Sequence, residues 1–137
     1  MAKDRFHALV RSLLEKDGWH ITSDPYTLSF GTRDYEVDLA AEKMLAAERG
    51  TERILVEVKS FLAESIVYEM HRVVGQYGTY RRVLKIQHID RTLILALPKD
   101  AFETLFLDEL GQVTIQEENM KFLLFDPNEK GYLQWIK

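Results

Sequence analysis

The chain of 137 residues contains no cysteine. A disulfide framework, a thiolate metal site and a cysteine nucleophile are therefore excluded, and the chain is compatible with the reducing environment of the cytoplasm. No apolar run approaches the roughly 20 residues that a membrane helix needs, and residues 1–5 lead straight into an amphipathic pattern rather than an apolar signal core. We therefore expect a cytoplasmic protein that is neither secreted nor inserted into a membrane.

Several enzyme signatures are also missing from the sequence. It has no Gly-x-Gly-x-x-Gly, no phosphate-binding loop with Lys-Ser/Thr and no Gly-x-Ser-x-Gly elbow. Nucleotide hydrolysis and serine-type acyl transfer are therefore disfavoured as functions. The histidines lack the spacing of a zinc site, so none of them is assigned as a metal ligand. They are His7, His20, His71 and His88.

The charge of the chain is mildly acidic, with a formal net value of −4. This sign disfavours a protein that coats nucleic acid, because sequence-independent phosphate binding rests on a basic surface. Basic residues nevertheless gather at Arg72, Arg81, Arg82 and Lys85, whereas acidic residues gather within 100–109 and at 117–118. Either the three arginines contact DNA, or these charges simply form the solvated face of a helix.

The length fits one globular domain that spans residues 1–137, and no internal repeat or linker divides it. Apolar residues recur at helical spacing in three stretches of the sequence. The first predicted helix begins after Asp4 as its N-cap and ends at Gly18. The second covers residues 66–84 and the third covers residues 99–110.

Strand-like patterns occupy most of the remaining sequence. A helical or irregular excursion is predicted for residues 41–49, and the long helix between two apolar strands predicts that those strands pair in parallel. The fold class is therefore α/β, with a central mixed sheet flanked by helices in the order α-β-β-β-α-β and an additional C-terminal helix and strands. The predicted strands are residues 19–22, 26–30, 35–40, 53–59, 92–97, 112–116, 121–125 and 131–136.

The predicted strand at 53–59 carries a carboxylate and an ammonium within an apolar stretch. Successive side chains of a strand point to opposite faces, so Leu55, Glu57 and Lys59 share one face. Asp38 lies on an earlier predicted strand. A purely structural interpretation remains open, in which Asp38 is an exposed polar residue and Glu57 forms with Lys59 an exposed ion pair worth at most about 1 kcal/mol.

The combination of Asp38 with Glu57-Val58-Lys59 resembles the signature of the restriction-endonuclease-like, or PD-(D/E)XK, superfamily, and the order of predicted elements resembles its core. Gln76-x-x-x-Tyr80 on the following helix resembles an accessory motif of the same superfamily. At a finer level the chain resembles the XisH family, the fdxN element excision controlling factors of cyanobacteria. The segments that carry this resemblance are residues 6–7, 16–22, 24–25, 37–42, 56–61, 75–77, 80–81 and 125–127.

The resemblance implies a magnesium-dependent endodeoxyribonuclease that acts on DNA during programmed excision of a genomic element. Asp38 and Glu57 would supply carboxylate ligands, and Val58 its backbone carbonyl, to Mg²⁺, with Mn²⁺ as the alternative ion. Lys59 would hold the attacking water or stabilise the negative charge that develops on the phosphate. Asp38, Glu57 and Lys59 are thus the predicted catalytic residues.

Three further residues are predicted to be accessory to this site. Gln76 and Tyr80 lie four residues apart on one helix face, within reach of the metal site or of a nucleic-acid backbone. Tyr80 fits equally well as a core aromatic beside Tyr77. Many superfamily members carry another acid on the first helix, and here His7 occupies that neighbourhood, either as a hydrogen-bonding site residue or as a satisfied core histidine.

A function of a different class is also compatible with the sequence. The chain would then be a non-catalytic DNA- or protein-binding accessory factor that assists a site-specific recombinase together with a small XisI-like partner protein. In that case Glu57 and Lys59 are inherited remnants of a catalytic ancestor. A homodimer is expected because two-fold assemblies are the commonest closed arrangement of protein subunits.

Overall fold

The structure is a computed structural model that describes residues 3–45 and 50–137. The helices within these residues are α1 (His7–Lys16), α2 (Ile66–Ile86), α3 (Lys99–Phe106) and α4 (Glu109–Glu118). The strands are β1 (His20–Ser23), β2 (Tyr26–Phe30), β3 (Arg33–Val37), β4 (Leu39–Met44), β5 (Thr51–Val58), β6 (Thr92–Pro98), β7 (Phe122–Phe125) and β8 (Leu133–Ile136). None of the described helices combines the length and apolarity that crossing a bilayer requires.

A mixed sheet of six strands, in the order β1-β4-β5-β6-β7-β8, forms the centre of the molecule. The neighbours β5, β6 and β7 run parallel, whereas β1, β4 and β8 pair antiparallel with their neighbours. Helix α2 provides the crossover from β5 to β6, and α3 with α4 provides the crossover from β6 to β7, as parallel pairing requires. Strands β2 and β3 form a separate antiparallel hairpin. The predicted α/β class with a central mixed sheet is confirmed.

Both faces of this sheet are buried by other elements. On one face, Leu55 and Leu95 pack in a cluster with α2, α3 and the β2–β3 hairpin. On the other face, Val56 and Ile94 pack with Val10 of α1. The alternation predicted for residues 53–59 is therefore confirmed, and it follows from the central position of β5, where each face of the strand meets a helix layer.

Helix α2 is positioned by a cap and by an apolar stripe. Its first turn begins after Ser65, whose hydroxyl oxygen accepts a hydrogen bond from the Tyr68 backbone N–H at 3.3 Å. Met70, Val73 and Tyr77 recur at helical spacing and are buried against the sheet. Tyr80 belongs to the same buried stripe, and Gln76 next to it is half-buried. The two predicted accessory residues therefore lie on the helix that covers β5.

The segment around Asp38 differs from the prediction. The predicted strand 35–40 is interrupted at Asp38, where the chain bends between β3 and β4. Residues 41–44, predicted to be helical or irregular, continue β4, and residues 46–49 of that predicted excursion lie outside the described residues. The reason is tertiary, because β4 is hydrogen-bonded to β1 on one side and to β5 on the other, and this pairing overrides local propensity. Five strands therefore precede α2, rather than the three of the predicted core order or the four stretches predicted as strands.

The predicted strand at residues 112–116 was wrong, because these residues belong to α4. The predicted helix 99–110 also divides into two helices, with the break at residues 107–108. Asp108 restarts the helix as an N-cap whose carboxylate accepts a hydrogen bond from the Gly111 N–H at 2.7 Å. A short stretch of alternating polar and apolar residues is compatible with a strand or with a helix. Here the N-cap at Asp108 and the bend at residues 107–108 favour the helix.

The junction between α3 and α4 yields a prediction about stability. A Cβ atom added at Gly111 would lie 2.5 Å from the Phe106 Cα, so Gly111→Ala should lower the free energy of unfolding by about 1–3 kcal/mol. Gly75 on α2 is the matched control, because apart from its chain neighbours and the backbone of its own helix, no atom of the described residues lies within 4 Å of an added Cβ. Gly75→Ala should raise stability by roughly 1 kcal/mol. Urea unfolding measures both variants, and a neutral Gly111→Ala would contradict this helix junction.

Candidate active site

Asp38 and Glu57 meet at the end of the β4–β5 ladder. Leu39 is opposite Val56 in that ladder, so the next step of the antiparallel register places Asp38 opposite Glu57. Two hydrogen bonds tie the pair together. The Val58 N–H donates to Asp38 Oδ2 at 2.7 Å, and the Asp38 N–H donates to Glu57 Oε1 at 3.2 Å. The backbone of the two strands therefore holds both carboxylates at one position.

Lys59 adds a positive charge to this carboxylate pair. Its Nζ lies 3.8 Å from Glu57 Oε2. The side chain of Glu57 is only 8% exposed, whereas those of Asp38 and Lys59 are 24% and 21% exposed. The structure thus brings the three predicted catalytic residues together, with Glu57 at the bottom of the site and the other two open to solvent. The interpretation of Glu57 and Lys59 as an exposed ion pair does not apply, because Glu57 is buried.

The electrostatics of the site depend on Glu57. Burial, reinforced by the neighbouring Asp38 carboxylate, raises the pKa of Glu57 to about 8, although the Lys59 ammonium opposes this effect. Two carboxyl groups that share one position cannot both ionise readily unless further positive charge is present. Glu57 therefore keeps its proton at neutral pH, and its ionisation requires more positive charge than one lysine supplies.

Two carboxylates and one backbone carbonyl at this position are groups of the kind that bind a small divalent cation. Within residues 3–45 and 50–137, no group of three or more His, Asp or Glu side chains is arranged to hold a metal ion by itself. Asp38 and Glu57 contribute two carboxylates, and the Val58 carbonyl points to the same side of β5 as the Val58 N–H that contacts Asp38. Mg²⁺ commonly takes one or two carboxylates and keeps several waters. A bound cation would supply the positive charge that ionisation of Glu57 requires.

The predicted accessory residues on α2 lie beside Glu57. Gln76 and Tyr80 line the same narrow crevice as the Glu57 side chain. Tyr80 is also a buried core residue whose ring contacts Tyr35 at a centroid distance of 5.7 Å. Burial raises the pKa of Tyr80, and the carboxylates of Glu57 and Asp38 raise it further. Tyr80 therefore packs in the core, as one of the two interpretations predicted, and it also lies near the carboxylates of the site, so its accessory role stays a prediction.

His7, the first residue of α1, approaches the site from another element. Its Nδ1 lies 3.9 Å from Asp38 Oδ1, and its Nε2 lies 2.8 Å from Asp24 Oδ1. The Arg11 guanidinium donates to Asp24 Oδ2 at 2.6 Å. Asp24 was missed as a site residue by the sequence analysis, which assigned residues 24–25 to a turn. The sequence nevertheless contained one indication of a role for Asp24, because residues 24–25 are among the segments that resemble the XisH family.

Asp4 connects the start of α1 to the residue that follows Lys59. One carboxylate oxygen of Asp4 accepts a hydrogen bond from the Phe6 N–H at 2.9 Å, and the other accepts one from the Ser60 N–H at 2.9 Å. The predicted N-cap at Asp4 was wrong, because Phe6 is the N-cap of α1, and Asp4 instead accepts a hydrogen bond from the residue that precedes the helix. The same carboxylate also fixes the chain just beyond the candidate catalytic lysine.

The three arginines predicted to contact DNA lie on α2 in different surroundings. Arg72 is exposed and pairs with Glu69 at 2.9 Å. Arg82 is exposed, and its guanidinium lies 3.5 Å from the Thr79 hydroxyl. Arg81 is half-buried and lines a separate cavity of about 250 Å³. A role of these residues in DNA binding stays a prediction.

The comparisons with known proteins agree on one family. The family model described as XisH protein matches residues 1–132. The structure is similar to that of an XisH family protein from Nostoc punctiforme PCC 73102, with 39% sequence identity, coverage of 98% of this chain and 100% of that chain, and a TM-score of 0.84. It is also similar to that of a fdxN element excision controlling factor protein from Anabaena variabilis, with 38% identity, coverage of 96% and 98%, and a TM-score of 0.83.

No curated protein sequence matches the chain. The family match nevertheless covers almost the whole sequence, and both solved relatives share nearly their entire length with it. The family predicted from the sequence segments is thereby confirmed: the chain belongs to the XisH family.

Proposed function

We propose that this protein is a metal-dependent DNA phosphodiesterase with a restriction-endonuclease-like core, and that it acts in the programmed excision of a genomic element. The observation that carries the proposal is the meeting of Asp38 and the buried Glu57, with the Lys59 ammonium 3.8 Å from Glu57. The setting is supported by the description of the Anabaena variabilis relative as a fdxN element excision controlling factor protein.

Each site residue has a distinct role in phosphodiester hydrolysis. Asp38, Glu57 and the Val58 carbonyl hold Mg²⁺ or Mn²⁺. When bound, such an ion neutralises charge on the phosphate oxygens and makes a water molecule more acidic. Lys59 orients the attacking water and stabilises the negative charge that develops on the phosphate. Its partial exposure gives it access to a phosphate in solution, and its contact with Glu57 retains it at the site.

The accessory residues support this arrangement from α2. Gln76 and Tyr80 border Glu57 in the crevice and restrict the positions that its carboxylate adopts. Because the pKa of Tyr80 is raised, its hydroxyl stays protonated and can donate a hydrogen bond. Arg72, Arg81 and Arg82 are the proposed contacts to the DNA backbone, since positive side chains supply most sequence-independent affinity for DNA.

A second candidate function is a non-catalytic accessory factor that binds DNA or protein and assists a recombinase with an XisI-like partner. An apolar groove of about 520 Å³ between α2 and the α3–α4 region favours it, with Met70 and Leu105 in its lining. Val67 and Leu110 at this groove are 54% and 69% exposed. Exposed apolar surface of this kind often marks protein contacts. The same apolar groove would serve equally as the interface of a homodimer.

Substitution of the site residues tests catalysis. Purified protein should cleave supercoiled, linear or branched DNA in the presence of Mg²⁺ or Mn²⁺, and Asp38→Ala and Lys59→Ala should each lower the rate by about 100-fold or more. Arg53→Ala is the control, because it removes one positive charge from the same strand at an exposed pair with Glu42. Cleavage that persists in both site variants would defeat the catalytic assignment, whereas partner binding that survives Lys59→Ala would favour the accessory function.

The pH dependence of stability tests the buried carboxyl. An unfolded glutamate loses its proton near pH 4.5, whereas folded Glu57 keeps it until about 8. The folded state binds more protons between these values, so stability falls as the pH rises through this window. In the absence of divalent ions, Glu57→Gln should therefore gain on the parent by roughly 5 °C in Tm between pH 5 and pH 8. A difference that does not change with pH would contradict the burial of an ionisable group here.

Cation binding has its own measurement in thermal unfolding. An ion that binds only the folded state raises Tm, with a shift that grows with ion concentration. Mg²⁺ or Mn²⁺ in the millimolar range should raise the Tm of the parent at pH 8 by several degrees. Each kcal/mol that ion binding adds to the free energy of unfolding corresponds to a shift of about 2–8 °C. Asp38→Ala should lose this shift, and Arg53→Ala should retain it. An equal shift in all three proteins would place the ion elsewhere.

A further inference from the structure

A cavity lined by basic side chains lies at the amino ends of β6 and β7. Its volume is about 250 Å³. Arg81 and Lys85 of α2 line this basic cavity, together with Arg91, which directly precedes β6, and Lys121, which directly precedes β7. None of the described residues in its lining is acidic. Four positive charges from three separate segments of the chain therefore meet around one small space.

The basic cavity is separate from the candidate active site. The β5–β6 ladder begins with Ile54 opposite Thr92, which lines the cavity, and it reaches Glu57 three residues later. Lys59 follows just beyond the carboxyl end of β5. The basic cavity and the candidate active site therefore lie toward opposite ends of the parallel strands, and the cations of the cavity do not neutralise the carboxylates of the site.

The positive charges of the basic cavity are only partly compensated by the chain. The Arg91 guanidinium lies 3.6 Å from a carboxylate oxygen of Glu42. Among the described residues, no carboxylate lies within 4 Å of the charged nitrogens of Arg81, Lys85 or Lys121. Lys85 occupies the last turn of α2, where a cation is favourable by itself. The other three cations need a separate explanation.

Two guanidinium nitrogens of the lining residues lack hydrogen-bond partners. Arg81 Nε and Arg91 Nη1 are buried, and neither has an acceptor among the described residues. An arginine side chain is always charged in proteins and can only donate hydrogen bonds, so these two atoms remain donors at any pH of interest. Buried donors almost always have an acceptor. An acceptor bound in the cavity would satisfy this requirement.

Tyr77 of α2 holds the wall of the basic cavity in place. Its hydroxyl donates a hydrogen bond to the Leu93 carbonyl oxygen at 2.7 Å and accepts one from the Lys121 N–H at 3.1 Å. Burial raises the pKa of Tyr77 to about 12, so this hydroxyl stays protonated and keeps both contacts. Helix α2 is thereby tied to the beginning of β6 and of β7. The fold itself thus keeps Arg81 and Lys121 beside one another.

We propose that the basic cavity binds a dianionic phosphate group, with Arg81, Arg91 and Lys121 as the residues that contact it. A guanidinium presents paired N–H donors that match the oxygens of a phosphate. A terminal phosphate carries close to two negative charges at neutral pH, whereas each phosphodiester within a DNA strand carries one. The four cations of the lining favour the more highly charged group.

The size of the basic cavity also limits what it encloses. Its volume of about 250 Å³ is slightly below that of typical small-molecule sites, roughly 300–1,000 Å³. The cavity therefore suits a phosphate group rather than a whole nucleotide. Such a group comes either from the end of a DNA strand or from a free phosphate compound. The site uses neither Asp38 nor Glu57, so it is independent of the proposed cleavage of DNA, and it gives Arg81 a more specific role than contact with the DNA backbone.

Calorimetric titration at constant ionic strength and without divalent ions tests the site. The parent should bind pyrophosphate, and Arg81→Gln and Lys121→Gln should each raise its Kd by about tenfold or more, because each loses a charge-assisted hydrogen bond. Arg33→Gln is the matched control, since Arg33 is exposed on β3 and lies outside the lining. This control should change the Kd by less than about twofold, because distant exposed charges are screened by salt.

Oligonucleotides identify the source of the phosphate group. A 5′-phosphorylated oligonucleotide that binds more tightly than its 5′-hydroxyl counterpart, with the difference lost in Arg81→Gln, would support the site and identify a DNA end as the ligand. Pyrophosphate binding that depends on Arg81 and Lys121, without such a difference between the oligonucleotides, would support the site and identify a free phosphate compound.

Thermal unfolding separates loss of the site from loss of the fold. Without phosphate, Arg81→Gln should melt no lower than the parent, because it removes one of several neighbouring like charges. Pyrophosphate should raise the Tm of the parent but not that of Arg81→Gln. If Arg81→Gln melts lower through altered packing, the half-buried Lys121 provides the same measurement in Lys121→Gln. Equal affinity of the parent and both variants for pyrophosphate, or no binding by the parent, would overturn the inference and leave the proposed cleavage of DNA standing.

Discussion

The end of the β4–β5 ladder imposes the constraint on which the rest of the site depends. The register brings two carboxylates to one position, and burial of Glu57 beside Asp38 makes simultaneous ionisation unfavourable. Two backbone N–H groups and the Lys59 ammonium partly offset the negative charge. A buried carboxyl held next to a second carboxylate does not favour folding, and the proposed function would give this pair a use in binding a cation.

The surrounding elements fix this carboxylate pair from several directions. Helix α2 covers Glu57 from one face of the sheet, with Gln76 and Tyr80 at the crevice. Helix α1 packs on the other face and begins at His7, which contacts Asp24 and approaches Asp38. The site is therefore assembled from segments that are distant in sequence, and its geometry depends on the whole sheet rather than on one loop.

The sequence analysis was most accurate where a single physical requirement, such as burial of a strand, determined the type of each residue. Strand β5 was predicted because its nearly continuous apolar sequence reflects burial on two faces, as is typical of a central strand covered by helices on both sides. Residues 41–44 were assigned incorrectly because their strand structure depends on pairing with β1 and β5, which local propensity does not report. Residues 112–116 were assigned incorrectly because the cap at Asp108 decided between two patterns that the sequence satisfies equally.

The sequence by itself determined the α/β class, the family and the presence of Asp38, Glu57 and Lys59 in a pattern that suits phosphodiester chemistry, because apolar periodicity and spaced motifs are properties of the chain. Only the tertiary structure decided that Glu57 is buried against Asp38, and that the His7 ring contacts Asp24 and approaches Asp38. Side-chain exposure and contacts of this kind depend on atoms contributed by other strands and helices, so they have no counterpart in a linear pattern.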